Sequence, residues 1–268
     1  MSIQKTKETI QKYKELLQEG KSYEFSQKII MLANRKVTSG NQQESINLLL
    51  EGAKELIQHK YVNEATNLIY KAFEVLTQNK QLLNEELKSE LMSIFSIFPQ
   101  GQDKLKYANK ILNEYFIGDK EICRVIAIDL LNNKQYHVAQ KYIINLNDPQ
   151  FSISFLQKWL STVNCEVESE FFVIRYILCK INQQKLDEAQ SILSSFKKDT
   201  PLYNFTSFLL RACKIKSRKA YSKLSSKYNS ILILDPSIQL MLKRIASTYF
   251  DYEKQESGFD RLFNSIFS

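Results

Sequence analysis

Residues 44–76 read ESINLLLEGAKELIQHKYVNEATNLIYKAFEVL, and two helical stripes with one short break are written in them. Ile46, Leu49, Leu50, Ala53, Leu56 and Ile57 recur at three, four and seven, which puts them on one face of a helix with 3.6 residues per turn. After His59-Lys60 the period resumes with Ala65, Leu68, Ile69, Ala72, Phe73, Val75 and Leu76. A break this short turns the second helix back against the first.

The same grammar extends in both directions. Towards the N-terminus, Ile3, Ile10, Tyr13, Leu16 and Leu17, then Phe25, Ile29, Leu32 and Ala33, keep the helical period. Breaks fall at Gly20-Lys21-Ser22 and Ser39-Gly40-Asn41, and later at Pro99-Gln100-Gly101, Gly118-Asp119, Asn132-Asn133, Asp148-Pro149, Asn182-Gln183, Thr200-Pro201, Lys216-Ser217, Asp235-Pro236 and Glu256-Ser257. Ser230-Ile231-Leu232-Ile233-Leu234 is the one run that invites a strand, but it leads into Asp235-Pro236, a good N-cap and first-turn pair. After several breaks an acidic residue and a small one recur, as in Glu44-Ser45, Glu64-Ala65 and Asp187-Glu188-Ala189. The small residue allows close helix crossing, which is the logic of tetratricopeptide-like pairs, although the strict 34-residue consensus is not met. The expected fold is all-α: a right-handed α-solenoid of such pairs with about fifteen helices. It is expected to run through 1–268 as a single continuous solenoid, with N-terminal repeats in 1–118 and C-terminal repeats in 119–268.

Composition removes most catalytic chemistry. Glycine occurs 6 times and proline 4 times in 268 residues. No two glycines lie closer than twelve positions, so neither a phosphate-cradling glycine loop nor a G-x-S-x-G elbow can be written. Cys123, Cys165, Cys179 and Cys213 form no C-x-x-C pair, and Cys123 and Cys179, in apolar surroundings, read as buried free thiols. His59 and His137 have no second ligand at helical spacing and read as structural or surface residues. No catalytic residue, metal site or cofactor is expected. The N-terminal residues lack an apolar signal core, and no apolar run approaches the length that spans a bilayer, so the expected location is the cytosol or the nucleus.

The formal net charge is +8. Arg211, Lys214, Lys216, Arg218, Lys219, Lys223 and Lys227 form a run without an acid, so the rest of the chain is nearly neutral. Tyr221 and Tyr228 are interleaved with it, which gives an alternative reading: a helical repeat that stacks single-stranded nucleic acid. The run crosses a helix break and lacks a base-reading motif, so a solvated face or a seat for an acidic partner segment is the preferred reading. A scaffold subunit of another multi-subunit complex is a further alternative.

A set of residues in order carries a resemblance. Glu19-Gly20, Tyr23-Glu24, Gln27, Ala33-Asn34-Arg35, Glu44 through Ala53, Asn67-Leu68, Glu74, Phe171 through Leu178, Pro201 through Phe205, Phe208 through Leu210 and the apolar tail Phe259–Phe267 span nearly the whole chain. Together they resemble the scaffold family of the Golgi-to-ER traffic (GET) pathway, whose animal members are the 35-kDa subunit of the transmembrane-domain recognition complex.

The resemblance implies a non-enzymatic adaptor, working in the cytosol, for delivering tail-anchored membrane proteins to the endoplasmic reticulum. It implies that the N-terminal helices dock the targeting ATPase, with Arg35, Lys36, Thr38, Asn67 and Glu74 on the docking surface. Thr38 stands where some members are basic, and Asn67 where some are acidic. It implies that the C-terminal helices hold a ubiquitin-like partner through Leu202, Phe205, Phe208 and Leu209 and through the tail residues Phe259, Leu262, Phe263, Ile266 and Phe267. The tail reads either as a cap folded back on the solenoid or as a grip on that partner. Only Lys197-Lys198-Asp199-Thr200 joins two helices where fungal members carry an insertion. A tetratricopeptide co-chaperone, reached through the ubiquitin-like partner, and a BAG-domain protein complete the implied partners. Neither nucleic acid nor direct membrane insertion is among them.

Overall fold

A computed structural model describes residues 2–250. Among them are sixteen α-helices and no strand. In chain order they are α1 (Ser2–Gln11), α2 (Lys14–Gln18), α3 (Ser22–Thr38), α4 (Gln42–Gln58), α5 (Val62–Gln78), α6 (Glu85–Ile97), α7 (Gln102–Lys110) and α8 (Lys120–Asn132). The second half holds α9 (Tyr136–Ile143), α10 (Pro149–Leu160), α11 (Glu166–Asn182), α12 (Leu186–Ser195), α13 (Pro201–Lys214), α14 (Arg218–Lys227), α15 (Asn229–Leu232) and α16 (Pro236–Tyr249). The chain divides into two compact units between Ile122 and Cys123, inside α8.

In the first unit α4 packs against α3 and α5, while α3 touches α5 and α4 touches α1 and α6. Two layers result, one holding α3 and α5 and the other α1, α4 and α6. The stripes read from the sequence are the inner faces: Phe25, Ile29 and Ala33 of α3, Ile46, Leu49, Leu50, Ala53, Leu56 and Ile57 of α4, and Ala65, Leu68, Ile69, Ala72, Phe73 and Leu76 of α5 are buried, while Leu32 and Val75 are half-buried at their edges. Gly52 sits at the closest crossing. A Cβ there would lie 3.1 Å from both Ile29 Cγ2 and Leu68 Cδ1, so α4 approaches both neighbours with backbone alone. The period over residues 3–17 is split in two by a turn at Lys12-Tyr13.

Six of the breaks share one geometry. At residues 20, 40, 60, 134, 184 and 216 the backbone turns left-handed, with φ between 49° and 79°. The residue after each donates its N–H to a carbonyl five positions back, as in Asn41 to Lys36 (2.8 Å), Tyr61 to Leu56 (2.8 Å) and Lys185 to Lys180 (3.0 Å). These paired bonds satisfy the last helical carbonyls and reverse the chain. Glycine fills two of the six positions, and Lys60, Lys134, Gln184 and Lys216 fill the others. The shortage of glycine therefore does not reflect a shortage of such turns. The Asp148-Pro149, Thr200-Pro201 and Asp235-Pro236 breaks cap α10, α13 and α16, each with its polar side chain accepting a backbone N–H and proline opening the helix.

In the second unit α11 packs against α12, α13 and α16, and α12 against α10 and α13. The last helix returns to α11: Tyr249 Oη donates to the Ile181 carbonyl (3.1 Å), and Arg175 pairs with Asp235 at 3.4 Å. The core is held by Lys180, which is fully buried. Its Nζ donates to the carbonyls of Ile144 (2.9 Å) and Leu146 (3.0 Å) and to Glu188 Oε2 (2.8 Å), tying the end of α9 to α11 and α12. All three ammonium donors are satisfied, which is the condition under which a buried charge is tolerated. The Ser230–Leu234 run forms one helical turn rather than a strand. Leu232 N–H and Ile233 N–H donate to the carbonyls of Tyr228 and Asn229, a local solution where no second strand exists to pair with.

Candidate protein-binding surfaces

The first candidate surface lies on the layer of α3 and α5. The two helices run in the same direction because α4 reverses between them, and Ser22 Oγ donates to Glu64 Oε1 (3.1 Å), fixing their register. Measured from that bond at 1.5 Å per residue, Asn67 is about 5 Å along, Glu74 about 15 Å and Arg35 about 20 Å. Arg35 and Glu74 thus lie near one end of the layer and Asn67 near the other. The two residues of α5 share a face, being two turns apart, and both are exposed.

The five residues do not offer equal chemistry. Arg35 is exposed and makes no ion pair among the described residues. Lys36 is held by Glu44 at 2.6 Å, from the last turn of α3 to the first of α4. Thr38 Oγ1 donates back to the carbonyls of Arg35 (2.9 Å) and Asn34 (3.2 Å), so its hydroxyl closes its own helix. Glu74 pairs with Lys71 at 2.7 Å. Arg35 is the free cation of this set.

Three exposed apolar residues on the same layer are absent from the docking set read from the sequence: Tyr23, 68% exposed, Met31 at 40% and Tyr70 at 41%. The signal that finds them is phase. Tyr23 is two residues from Phe25, and Tyr70 two from Leu68, about 200° around the helix from the buried stripe. Large side chains out of phase with the core are common at partner surfaces.

The second candidate surface lies on α13, and its stripe is divided. Leu202, Phe205 and Leu209 are buried in the second unit's core, whereas Phe208 is 43% exposed with the Arg211 guanidinium 5.9 Å from its ring centre. Phe208 is the edge of a stripe too wide for the core to cover. Phe259, Leu262, Phe263, Ile266 and Phe267 lie outside the described residues.

The basic run surrounds α14. Arg211, Lys214, Lys216, Arg218, Lys219, Lys223 and Lys227 are all exposed. Its two tyrosines do not present faces for stacking bases. Tyr221 is buried, donates its hydroxyl to the Leu242 carbonyl (3.2 Å) and stacks on Phe250 at 4.7 Å, and Tyr228 packs on Phe205 at 5.6 Å. Tyr221 is a core residue and Tyr228 a half-buried one, and both happen to sit among lysines.

The remaining polar groups serve structure. All four cysteines are free. Cys123 is buried and Cys179 is half-buried, and burial pushes the thiols of Cys179 and Cys213 up to about 12, which keeps them protonated and unreactive. His59 is exposed and its Nδ1 lies 2.9 Å from the Glu55 carbonyl at the end of its helix. Among the described residues no cluster of three potential ligands could hold a metal, and no helix is long and apolar enough to cross a membrane.

Two helical units with apolar and charged residues on open faces make an architecture suited to binding. The family model of Golgi to ER traffic protein 4 matches residues 39–267. The chain belongs to the Golgi to ER traffic protein 4 family. Its relatives include the Golgi to ER traffic protein 4 homolog of Dictyostelium discoideum, 27% identical over 90% of this chain and 82% of that protein. The homolog of Homo sapiens is 20% identical over 93% and 82%. The fold matches the crystal structure of C. therm. Get4 with a TM-score of 0.78 at 18% identity, covering 98% of this chain and 96% of that one. The architecture is thus the all-α solenoid expected from the stripes. The family is one of scaffold or adaptor subunits in Golgi-to-ER traffic, acting within a multi-subunit complex.

Proposed function

We propose that this chain is a cytosolic, non-enzymatic adaptor that joins a targeting ATPase for tail-anchored proteins to a ubiquitin-like partner, which brings in a client-loaded tetratricopeptide co-chaperone. The family match over residues 39–267 carries the reading. In this proposal the N-terminal repeats, 1–118, take the ATPase and the C-terminal repeats, 119–268, take the ubiquitin-like protein.

The character of each surface supports the division. The layer of α3 and α5 carries exposed Tyr23, Met31 and Tyr70 along its length and an unpaired arginine at one end, a combination suited to an interface with an acidic, partly apolar partner. Phe208 with Arg211 gives α13 an aromatic anchor backed by a cation. Of the first set, Arg35 contributes most, because Lys36 and Glu74 already have partners on this chain. Affinity capture of the full chain from cells, read by mass spectrometry, should retrieve both a ubiquitin-like protein and a tail-anchored-protein ATPase. Retrieval of neither sinks the proposal.

A further inference from the structure

α14 and the segments that flank it present a single sign of charge. Residues 200–234 hold the whole basic run and no acid. Within α14, Lys219, Lys223 and Lys227 follow one another at intervals of four, so they form one row about 12 Å long. Lys219 and Lys223 are each two residues from buried Tyr221, about 200° around the helix, so the row faces away from the core. All three lysines are exposed, and none makes an ion pair among the described residues, although Lys227 reaches the Tyr228 ring at 5.6 Å. Lys214 is held by Asp187 at 3.4 Å and does not count with them.

Apolar side chains stand open at both ends of this row. Ile215, in the turn before α14, is 72% exposed. After α14 comes the single turn α15, which packs on α14 and α16, and directly behind it Ile233 is 53% and Leu234 68% exposed. The Leu232 and Ile233 N–H groups donate to the Tyr228 and Asn229 carbonyls, which keeps this stretch compact. Ile233 therefore lies about 9 Å along the chain from Lys227. The core covers Leu232 but neither of the two residues after it.

We infer that this face adsorbs to an anionic lipid bilayer, with Lys219, Lys223 and Lys227 against the headgroups and Ile215, Ile233 and Leu234 reaching the edge of the acyl chains. Stable adsorption takes two signals, attraction of clustered cations and burial of apolar side chains, and both stand here. An acidic peptide would use the lysine row and leave the three apolar residues without a role. A nucleic-acid strand would want aromatic faces among the cations, and Tyr221 turns inward to Leu242 and Phe250. The contact is peripheral, since no helix among the described residues is long and apolar enough to cross a membrane. The inference does not depend on which proteins the chain binds.

Sedimentation of the full chain with sucrose-loaded vesicles tests it. Each cation close to an anionic leaflet contributes about fivefold to binding, so three contribute about a hundredfold. Vesicles of phosphatidylcholine with about one-third phosphatidylserine should therefore bind at least about a hundredfold more tightly than phosphatidylcholine alone at low salt. Salt near 1 M should remove most of the difference, because these charges are exposed. Lys219→Gln/Lys223→Gln/Lys227→Gln should lower binding to the phosphatidylserine vesicles about a hundredfold. Ile215→Ser/Ile233→Ser/Leu234→Ser should weaken it at least about tenfold and leave its salt dependence in place. All six side chains are exposed, so both variants should melt like the natural chain by circular dichroism. Equal binding to the two kinds of vesicle, or undiminished binding of the lysine variant, overturns the inference. Undiminished binding of the serine variant also overturns it, since a lysine row acting alone is a seat for any polyanion, acidic peptides included.

Discussion

Replacing Lys180 with methionine should destabilise the second unit more than any surface change. Methionine keeps the stem's volume and removes the ammonium. Three acceptors then lose their donor: the Ile144 and Leu146 carbonyls and Glu188 Oε2, which lay 2.8–3.0 Å from Nζ. The Glu188 side chain is 18% exposed, so water replaces the lysine only in part. Breaking a buried pair from one side costs about 3–5 kcal/mol. For a chain of this size each kcal/mol lowers the melting temperature by about 2–4 °C, so the expected drop is about 6–20 °C. Adding Glu188→Leu removes the stranded carboxylate and should recover at least about 1 kcal/mol, as expected for residues in one network. Circular dichroism melts of the three proteins give the answer. A loss below about 1 kcal/mol for Lys180→Met would mean that the three bonds barely exceed what water offers, and the reasoning would fail.

Further expectations follow from the turns and from the carboxylates. Gln184 and Lys134 adopt left-handed backbone that favours glycine, so Gln184→Gly and Lys134→Gly should each stabilise the chain by about 0.5–1 kcal/mol, while Gly40→Ala should cost a similar amount, all read from thermal melts. At Asp119, burial opposes ionisation, but hydrogen bonds from Lys88 and the Ile122 N–H outweigh it and hold the carboxyl below its ordinary 3.8. At Asp148, the Arg124 side chain and the Phe151 N–H do the same. Groups whose folded values lie below the unfolded ones contribute stability that is complete above pH 3.8 and is lost as pH falls through the lower folded values. Asp119→Asn and Asp148→Asn should each flatten the acid limb of a urea-midpoint profile and leave its slope at neutral pH unchanged.

The sequence showed the architecture because helix packing writes a period into it. Once Ile46 through Ile57 and Ala65 through Leu76 are read as stripes, the short break between them dictates antiparallel pairs, and the structure buries every stripe residue but Val75, which is half-buried. Asp235-Pro236 was legible for the same reason: capping needs a particular residue type at a particular place. The breaks near Lys60, Lys134, Gln184 and Lys216 were legible as lapses in the period, but their left-handed backbone was not, because surrounding structure holds ordinary residues where glycine would mark the turn. Lys180 carried no signal in the sequence, since nothing in Cys179-Lys180-Ile181 announces that two carbonyls from residues 144 and 146 will meet it. The interleaving of Tyr221 with lysines suggested stacking on bases, whereas helical phase points it inward at Leu242 and Phe250. At the α13 stripe, sequence shows apolarity but not which residue the core leaves uncovered, and that residue is Phe208.

The proposed bridging role is tested most directly by immobilising the full chain and asking whether it holds a purified tail-anchored-protein ATPase, in its ATP-bound form, and a purified ubiquitin-like protein at the same time. Both should be retained together. Arg35→Glu should weaken ATPase retention by about tenfold at low salt and leave the ubiquitin-like protein bound, and Phe208→Asp should do the reverse. Mutually exclusive binding, or two variants that affect both partners alike, would contradict an adaptor with two separate surfaces.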